Sequence, residues 1–421
     1  MTRRRKRPNI FGWAVFGLVL LFGYYFDQVY LPTQPNPFDA TPTATRSPES
    51  FVTEAQKLFQ EGKLPQAIEA YESALKSSPQ DPTLYIALAR VQVFAGLPRE
   101  AQANAENAIL LSPNNSMAHA VLAWALDFQG ENGKAMDEIE AALQYDDKNA
   151  IAHAYRVEIL IDSQAFENID KAREVSRTAL ALDPNVLETR RARGYIFEVT
   201  GDYENAIQFY KSAIELNPNL AILHMELGRN LRFLQVSDQA IDEFLRANTL
   251  NPSDPEPEYW ISRTYGTIGE YEKALQYAEA SVKDRPTDAR LRANYGVMFY
   301  YNFFYTKAAE QLSLALNGGR TEDGFPIQGI PLADDLRVAE YYYTYGFALA
   351  RTNQCGDALR IVQSLRTNVA ENETVTNAAD SITQICEENL NNPAVDTPVP
   401  DDEVTPTEEI ITSTPEKTAT P

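Results

Sequence analysis

The sequence predicts an all-α array of stacked helix-turn-helix units, and two observations carry that expectation. Alanines recur at Ala67, Ala101, Ala135, Ala172, Ala206, Ala240, Ala274 and Ala308, at spacings of 34, 34, 37, 34, 34, 34 and 34. Prolines follow in phase at Pro79, Pro113, Pro184, Pro218, Pro252 and Pro286, each twelve residues after its alanine. A fixed period of this length marks supersecondary units that bury their apolar faces on one another, not separate globular domains. The hydrophobic fraction of 44% over 421 residues supports a sizeable core.

At the N-terminus, Arg3, Arg4, Arg5, Lys6 and Arg7 precede an uncharged run from Ile10 to Phe26. Seventeen helical residues span about 26 Å, close to the roughly 30 Å of a bilayer's hydrocarbon core. Trp13 at one end and Tyr24 and Tyr25 at the other suit the two interfaces. The expected order is a basic cytoplasmic leader over 1–9, then a transmembrane helix over 10–26. Everything after Asp27 would then lie outside the cytoplasm. The rivals are a cleaved signal peptide and a buried helix. No small-x-small cleavage site follows the apolar run, where Tyr24, Tyr25, Phe26 and Asp27 stand, and no cysteine lies nearby for a lipid anchor.

Residues 27–47 form a Pro/Thr-rich linker containing Pro32, Pro35, Pro37 and Pro42, a composition that favours an extended spacer. The tail over 392–421 is similar, with six prolines, seven threonines and seven acids. It reads as disordered, a spacer or an O-glycosylated stalk.

Each period is helical on both sides of a turn. In residues 187–220, Gly194 and Phe197 mark one helix, and Thr200, Gly201 and Asp202 break it. Ala206, Tyr210 and Ala213 then share one face of a second helix. Small residues recur at the eighth place (Ala55, Ala89, Ala123, Gly194, Gly228, Gly296), where two backbones can approach closely. The terminal proline stops the second helix, because it lacks an N–H and clashes with the preceding turn.

This pattern of G/A-x-x-hydrophobic, then A-x-x-x-F/Y-x-x-A, then Pro resembles the tetratricopeptide repeat family. Ala67-Tyr71-Ala74-Pro79, Ala206-Tyr210-Ala213-Pro218 and Ala240-Phe244-Ala247-Pro252 carry it most closely. The resemblance implies a right-handed superhelical solenoid of about nine repeats, eight of them over 48–322. It also implies no cofactor and a groove that binds protein or peptide. The third unit departs by ending in Asp147 where proline is usual. The fourth is 37 residues long, with its extra turn expected around Phe166–Asp170.

Gly318, Gly319, Gly324, Pro326, Gly329 and Pro331 interrupt the period. A loop over 317–338, its core at 323–338, is therefore expected, with Phe325, Ile327 and Ile330 able to fold back on the solenoid. A ninth repeat-like unit over 339–371 is led by Gly346 and Ala358. A capping helix over 372–391 carries Val375, Ala378, Ala379, Ile382 and Ile385 at helical spacing.

A formal net charge of −22 argues against nucleic acid as a partner; without the five N-terminal cations the remainder carries −22 − 5 = −27. Two cysteines exclude a four-thiolate zinc site. His119, His153 and His224 each hold the fourth place of a unit, so packing explains them and no metal site is expected. Cys355 and Cys386 would meet if the capping helix lies on the ninth unit, making a possible disulfide against the alternative of two buried thiols. No phosphate loop, nucleophile elbow or His-Glu-x-x-His occurs, so no enzymatic activity is expected.

The candidate functional surface is the inner stripe of the first helices, at places two, five, nine and twelve, with six and thirteen beside them. It comprises Arg90, Phe94, Trp124, Phe128, Tyr155, Glu158, Arg191, Tyr195, Glu198, Arg229, Arg232, Phe233, Tyr259, Trp260, Arg263, Tyr300, Tyr301, Tyr343 and Arg351. Arginine and aromatic residues dominate binding hot spots; the alternative is that many of these rings pack between neighbouring helices. The expected function is a membrane-anchored, non-enzymatic scaffold that holds a peptide segment or partner protein in its concave groove. The second expectation is a subunit of a cell-envelope or polysaccharide synthesis or secretion complex that recruits an enzyme or glycan.

Overall fold

The computed structural model describes residues 10–26, 46–163 and 168–391. The basic leader, most of the linker, Phe166 with its neighbours in the fourth unit, and the acidic tail lie outside the described residues. Helix α1 (Ile10–Tyr25) has 16 residues, and among the described residues no helix is long and apolar enough to cross a membrane.

Among the described residues, eighteen helices then follow in nine pairs. They begin with α2 (Pro48–Gln60) and α3 (Leu64–Ser77), α4 (Pro82–Phe94) and α5 (Pro98–Leu111), and α6 (Ser116–Asp127) and α7 (Asn132–Tyr145). Next come α8 (Ala150–Asp162) and α9 (Asn168–Leu182), α10 (Leu187–Val199) and α11 (Tyr203–Leu216), and α12 (Ala221–Phe233) and α13 (Ser237–Leu250). The last are α14 (Glu256–Thr267) and α15 (Tyr271–Asp284), α16 (Ala289–Tyr301) and α17 (Tyr305–Asn317), and α18 (Leu336–Arg351) and α19 (Cys355–Asn368). A single helix, α20 (Glu373–Asn391), closes the array against α18 and α19.

The phased residues explain the pairing. All eight phased alanines, and Ala358 of the ninth pair, are fully buried where paired helices approach. Gly194 and Gly228 face the rings of Tyr210 and Phe244 so closely that a Cβ would clash with either ring. Each phased proline stands two residues past the end of its second helix. Several first helices are capped from their own sequence: Asp81, Asn115, Asn149, Asp288 and Asp335 accept backbone N–H groups of the first turn. The first helices pack on both neighbouring units and are buried nearly all round, as in α6, whereas the second helices bury only a stripe. The first helices thus form the inner layer and the second helices the outer one.

The solenoid's first turn closes on itself. Asn219 Nδ2 donates to the Gln60 carbonyl at 2.8 Å, and a Cβ on Gly62 would strike the Asn219 backbone. Leu220 and Leu223 join Ala55 and Phe59 in one apolar cluster, although about 160 residues separate them in sequence.

The insertion after α17 forms a short antiparallel ribbon, β1 (Gly319–Arg320) with β2 (Pro326–Ile327). Ile327 is buried, Ile330 N–H donates to the Ala315 carbonyl at 3.0 Å, and Tyr342 Oη donates to the Ile330 carbonyl at 2.7 Å. Phe325 does not fold back with them: it lies at the tip of the ribbon with its ring exposed. Cys355, at the start of α19, and Cys386, in α20, form a disulfide with Cα atoms 5.4 Å apart.

Candidate functional site

Along the first five units the inner face is occupied by its own side chains. Phe59, Phe94, Trp124 and Tyr155, one from each of α2, α4, α6 and α8, form a continuous ladder with ring centroids 5.6, 4.9 and 4.4 Å apart. Ion pairs tie α4, α8, α10 and α12 together. Arg191 bridges Glu158 on one side and Glu226 on the other, each at 2.6 Å, and Trp124 Nε1 donates to Glu158 at 3.0 Å. Arg229 pairs with Glu198 at 3.2 Å, and Tyr210 Oη and Asn230 Nδ2 also donate to that carboxylate. Arg90 reaches Glu188 on α10.

Burial shapes the protonation of this network. It opposes the charge of Arg191, but Glu158 and Glu226 outweigh it and hold the guanidinium charged. Burial pushes Glu226 up to about 7 against the pull of Arg191. Asp127, at the end of α6, has both carboxyl oxygens buried without a hydrogen-bond partner. Burial, reinforced by Asp162 and Glu158, raises it to about 8, so it is protonated at neutral pH. Tyr195 Oη donates to the adjacent Asp162 at 2.5 Å.

The expected groove residues therefore divide. Phe94, Trp124, Tyr155, Glu158, Arg191 and Tyr259 are buried and held by internal partners. Arg90, Tyr195, Glu198 and Arg229 are half-buried in the pairs just described. Phe128, Phe233 and Arg351 are exposed, while Arg232, Trp260, Arg263, Tyr300, Tyr301 and Tyr343, from the sixth to ninth units, are half-buried.

In this later half the charge balance reverses. Arg232, from α12, and Arg337, from α18, both stand over the Trp260 ring, with guanidinium carbons 5.6 and 5.4 Å from its centroid. Arg337 Nη1 donates to Tyr259 Oη at 2.7 Å, and Arg263 Nη1 donates to Glu340 at 2.8 Å. Arg290 pairs with Glu256 and lies 4.3 Å over Tyr259. Four guanidinium groups thus meet two carboxylates. The Nε atoms of Arg232 and Arg263 are buried with no protein acceptor. Burial, then the charges of Arg263 and Arg337, lower Arg232; the Arg337 and Arg263 charges also pull Tyr259 below its usual range despite its burial. A planar fork of donors with spare hydrogens beside an aromatic plane can receive an oxyanion such as a carboxylate.

Arg337, Glu340, Glu188, Glu226, Asp127 and Asp162 were not among the sequence-predicted residues. A signal for some of them existed. Glu158, Arg191 and Glu226 lie 33 and 35 residues apart, about one repeat, which places opposite charges on adjacent first helices. For Arg337 with Tyr259, 78 residues apart, no repeat arithmetic suffices. The histidines take structural roles. His119 and His224 each contact a carboxylate one helix on (Glu138, Glu243) at 2.6 Å and the carbonyl of the preceding phased proline.

Two family models described as tetratricopeptide repeat match residues 58–125 and 161–221. Serine/threonine-protein phosphatase 5 of Rattus norvegicus is 34% identical over 96 residues, which are 22% of this chain and 19% of that protein. The peroxisomal targeting signal receptor of Saccharomyces cerevisiae is 27% identical over 118 residues, 27% of this chain and 19% of that protein. The chain therefore spans about a fifth of the length of these curated relatives. Among solved structures, the APC/C hetero-tetramer Cut9-Hcn1 superposes with a TM-score of 0.65 at 13% identity, covering 79% of this chain and 63% of that one. These matches support a tetratricopeptide-type repeat fold.

Proposed function

We propose that this tetratricopeptide-type chain is a non-enzymatic scaffold that holds an acidic segment of a partner protein on the inner face of its sixth to ninth units. One observation carries the reading: Arg232 and Arg337 stand over Trp260 with Arg263 near them, and among the described residues one carboxylate, Glu340, pairs with the three. Collecting like charges on a half-buried surface is unfavourable unless a counter-charge arrives. The first five units offer no comparable opening, since their inner face is filled by its own rings and ion pairs. The repeats are of a type whose relatives include a targeting signal receptor and a subunit of the Cut9-Hcn1 assembly.

The basic cluster Arg3–Arg7, followed by the apolar run Ile10–Phe26, supports a membrane tether at the N-terminus, with the repeats on the extracytoplasmic side.

The test is affinity capture with the full chain beside an Arg232→Glu/Arg337→Glu variant, with circular dichroism to show equal helix content. Among the described residues neither arginine has a carboxylate within ion-pairing distance, so the fold should tolerate the change. A partner captured by the first and lost from the second identifies this face as the working surface. Equal capture by both would remove the function from it.

A further inference from the structure

The geometry points to a second docking site, of opposite charge preference, on the turn edge of the seventh and eighth units: a pocket for a peptide segment that presents an apolar anchor flanked by basic residues. It goes beyond the reading above, which concerns the arginine-rich inner face.

The first observation is backbone. Every described turn between the paired helices carries one left-handed residue two or three places after its first helix ends. It is glycine at Gly62, Gly96, Gly130, Gly201 and Gly269, with φ between +74° and +81°. Gln235 and Asn353 take the place in the sixth and ninth units, and Phe303 takes it in the eighth, with φ +67°. A bulky side chain in this region is strained, because its Cβ crowds the carbonyl oxygen. The ring gains little packing in return. It is 76% exposed, and its one ring contact is edge-on to Tyr305, with centroids 6.3 Å apart. Folding alone gives no reason for phenylalanine here.

The second observation is the space beside it. A cavity of about 630 Å³ lies between the α14–α15 turn and the α16–α17 turn. That volume is within the range of preformed ligand pockets. Tyr271, Leu275, Tyr301, Phe303 and Phe304 supply its apolar walls. The walls are preset: Tyr271 and Tyr301 stack at 5.0 Å, and Asn302 Nδ2 donates to the Tyr271 carbonyl at 2.9 Å, locking the two turns together. An exposed aromatic beside a stacked aromatic pair is the composition of a binding hot spot.

The third observation decides the occupant. Glu270, Glu272 and Glu279 also line the cavity, and no lysine, arginine or histidine does. Lys273 and Lys283 partly offset Glu270 and Glu279 from outside, and among the described residues Glu272 has no cation within pairing distance. An apolar anchor with lysine or arginine beside it matches both wall and rim, whereas an acidic segment is repelled.

The test uses the full chain and three labelled pentapeptides read by fluorescence anisotropy: Lys-Lys-Trp-Lys-Lys, Lys-Lys-Ala-Lys-Lys and Glu-Glu-Trp-Glu-Glu. The first is expected to bind about tenfold tighter than either other. Phe303→Gly should remove that preference while leaving the melting temperature unchanged or raised, since glycine occupies this place in five other units. Glu272→Lys should weaken the same peptide by a similar factor, and Arg232→Glu/Arg337→Glu should leave it unaffected. Equal binding of the tryptophan and alanine peptides would overturn the site. So would a Phe303→Gly protein that keeps the preference, or one that melts lower, which would make the ring a structural element.

Discussion

Arg90 Nη2 lies 2.5 Å from Glu188 Oε1, although 98 residues separate them and they stand on α4 and α10, three units apart. The pair spans the bore of the solenoid's first turn, where Glu188 is fully buried. Together with the Asn219–Gln60 contact, it converts an open spiral into a closed ring of five units.

Removing the arginine alone should be severe. Arg90→Met leaves the buried Glu188 carboxylate without its counter-charge, a loss of about 3–5 kcal/mol by urea denaturation. The double variant Arg90→Met/Glu188→Leu should recover most of it, because neither charge then remains in the interior. Losses that simply add would show that the two side chains are not coupled.

Stability should fall as pH rises from about 4 to 8. Asp127 keeps its proton in the folded state up to about 8, whereas unfolding returns it to an ordinary carboxyl near 4. The folded state therefore binds more protons across that window, and the contribution is fully present below it and lost through it. Glu226, raised to about 7, acts in the same direction. Asp127→Asn should raise stability at pH 8 by roughly 1–3 kcal/mol and change little at pH 4. Thermal melts at the two pH values give the comparison; identical shifts at both would remove Asp127 as the cause.

Gly228 of α12 faces the Phe244 ring of α13. A Cβ there would lie 2.6 Å from Phe244 Cε1. Gly228→Ala should destabilise by about 1–3 kcal/mol through overpacking, and Phe244→Leu introduced beside it should relieve part of that loss. Stability measured for the single and double variants decides between a steric cause and a backbone one.

The disulfide should hold the end of the array. Cys355 and Cys386 close a loop with a sequence separation of 31, for which chain-entropy arguments give about 2–4 kcal/mol. Cys386→Ser, or reduction, should release α20 first, seen as faster amide exchange over residues 373–391 than in α16 or α17. Unchanged exchange there would mean that Ile382 and Val375, buried on the same helix, hold the cap unaided.

Much of the fold was legible because contacts between adjacent units repeat with the period of the sequence. The phased alanines are all fully buried, and His119 and His224, alike in register, make the same two contacts. The stripe rule put Trp124, Tyr155 and Trp260 in one class. It did not separate Trp124 and Tyr155, which stack on one another out of solvent, from Trp260, which remains half-buried under two arginines. Place in the repeat determines which way a side chain points; what waits on the far side of the bore does not repeat. Phe325 shows the same limit in the insertion, where Ile327 and Ile330 turn inward and it does not.

Periodicity and residue chemistry alone determined that this protein is an all-α stack of paired helices, where six of the second helices stop, and which small residues lie between them. Each of those features depends on neighbours within about one repeat, and so is written locally. Only the tertiary structure decided that the early inner face is sealed by Arg90, Arg191 and Arg229 with their carboxylates, while Arg232, Arg263 and Arg337 are left with one between them. Small rotations between successive units sum along the array, and their sum sets which distant charges meet across the bore.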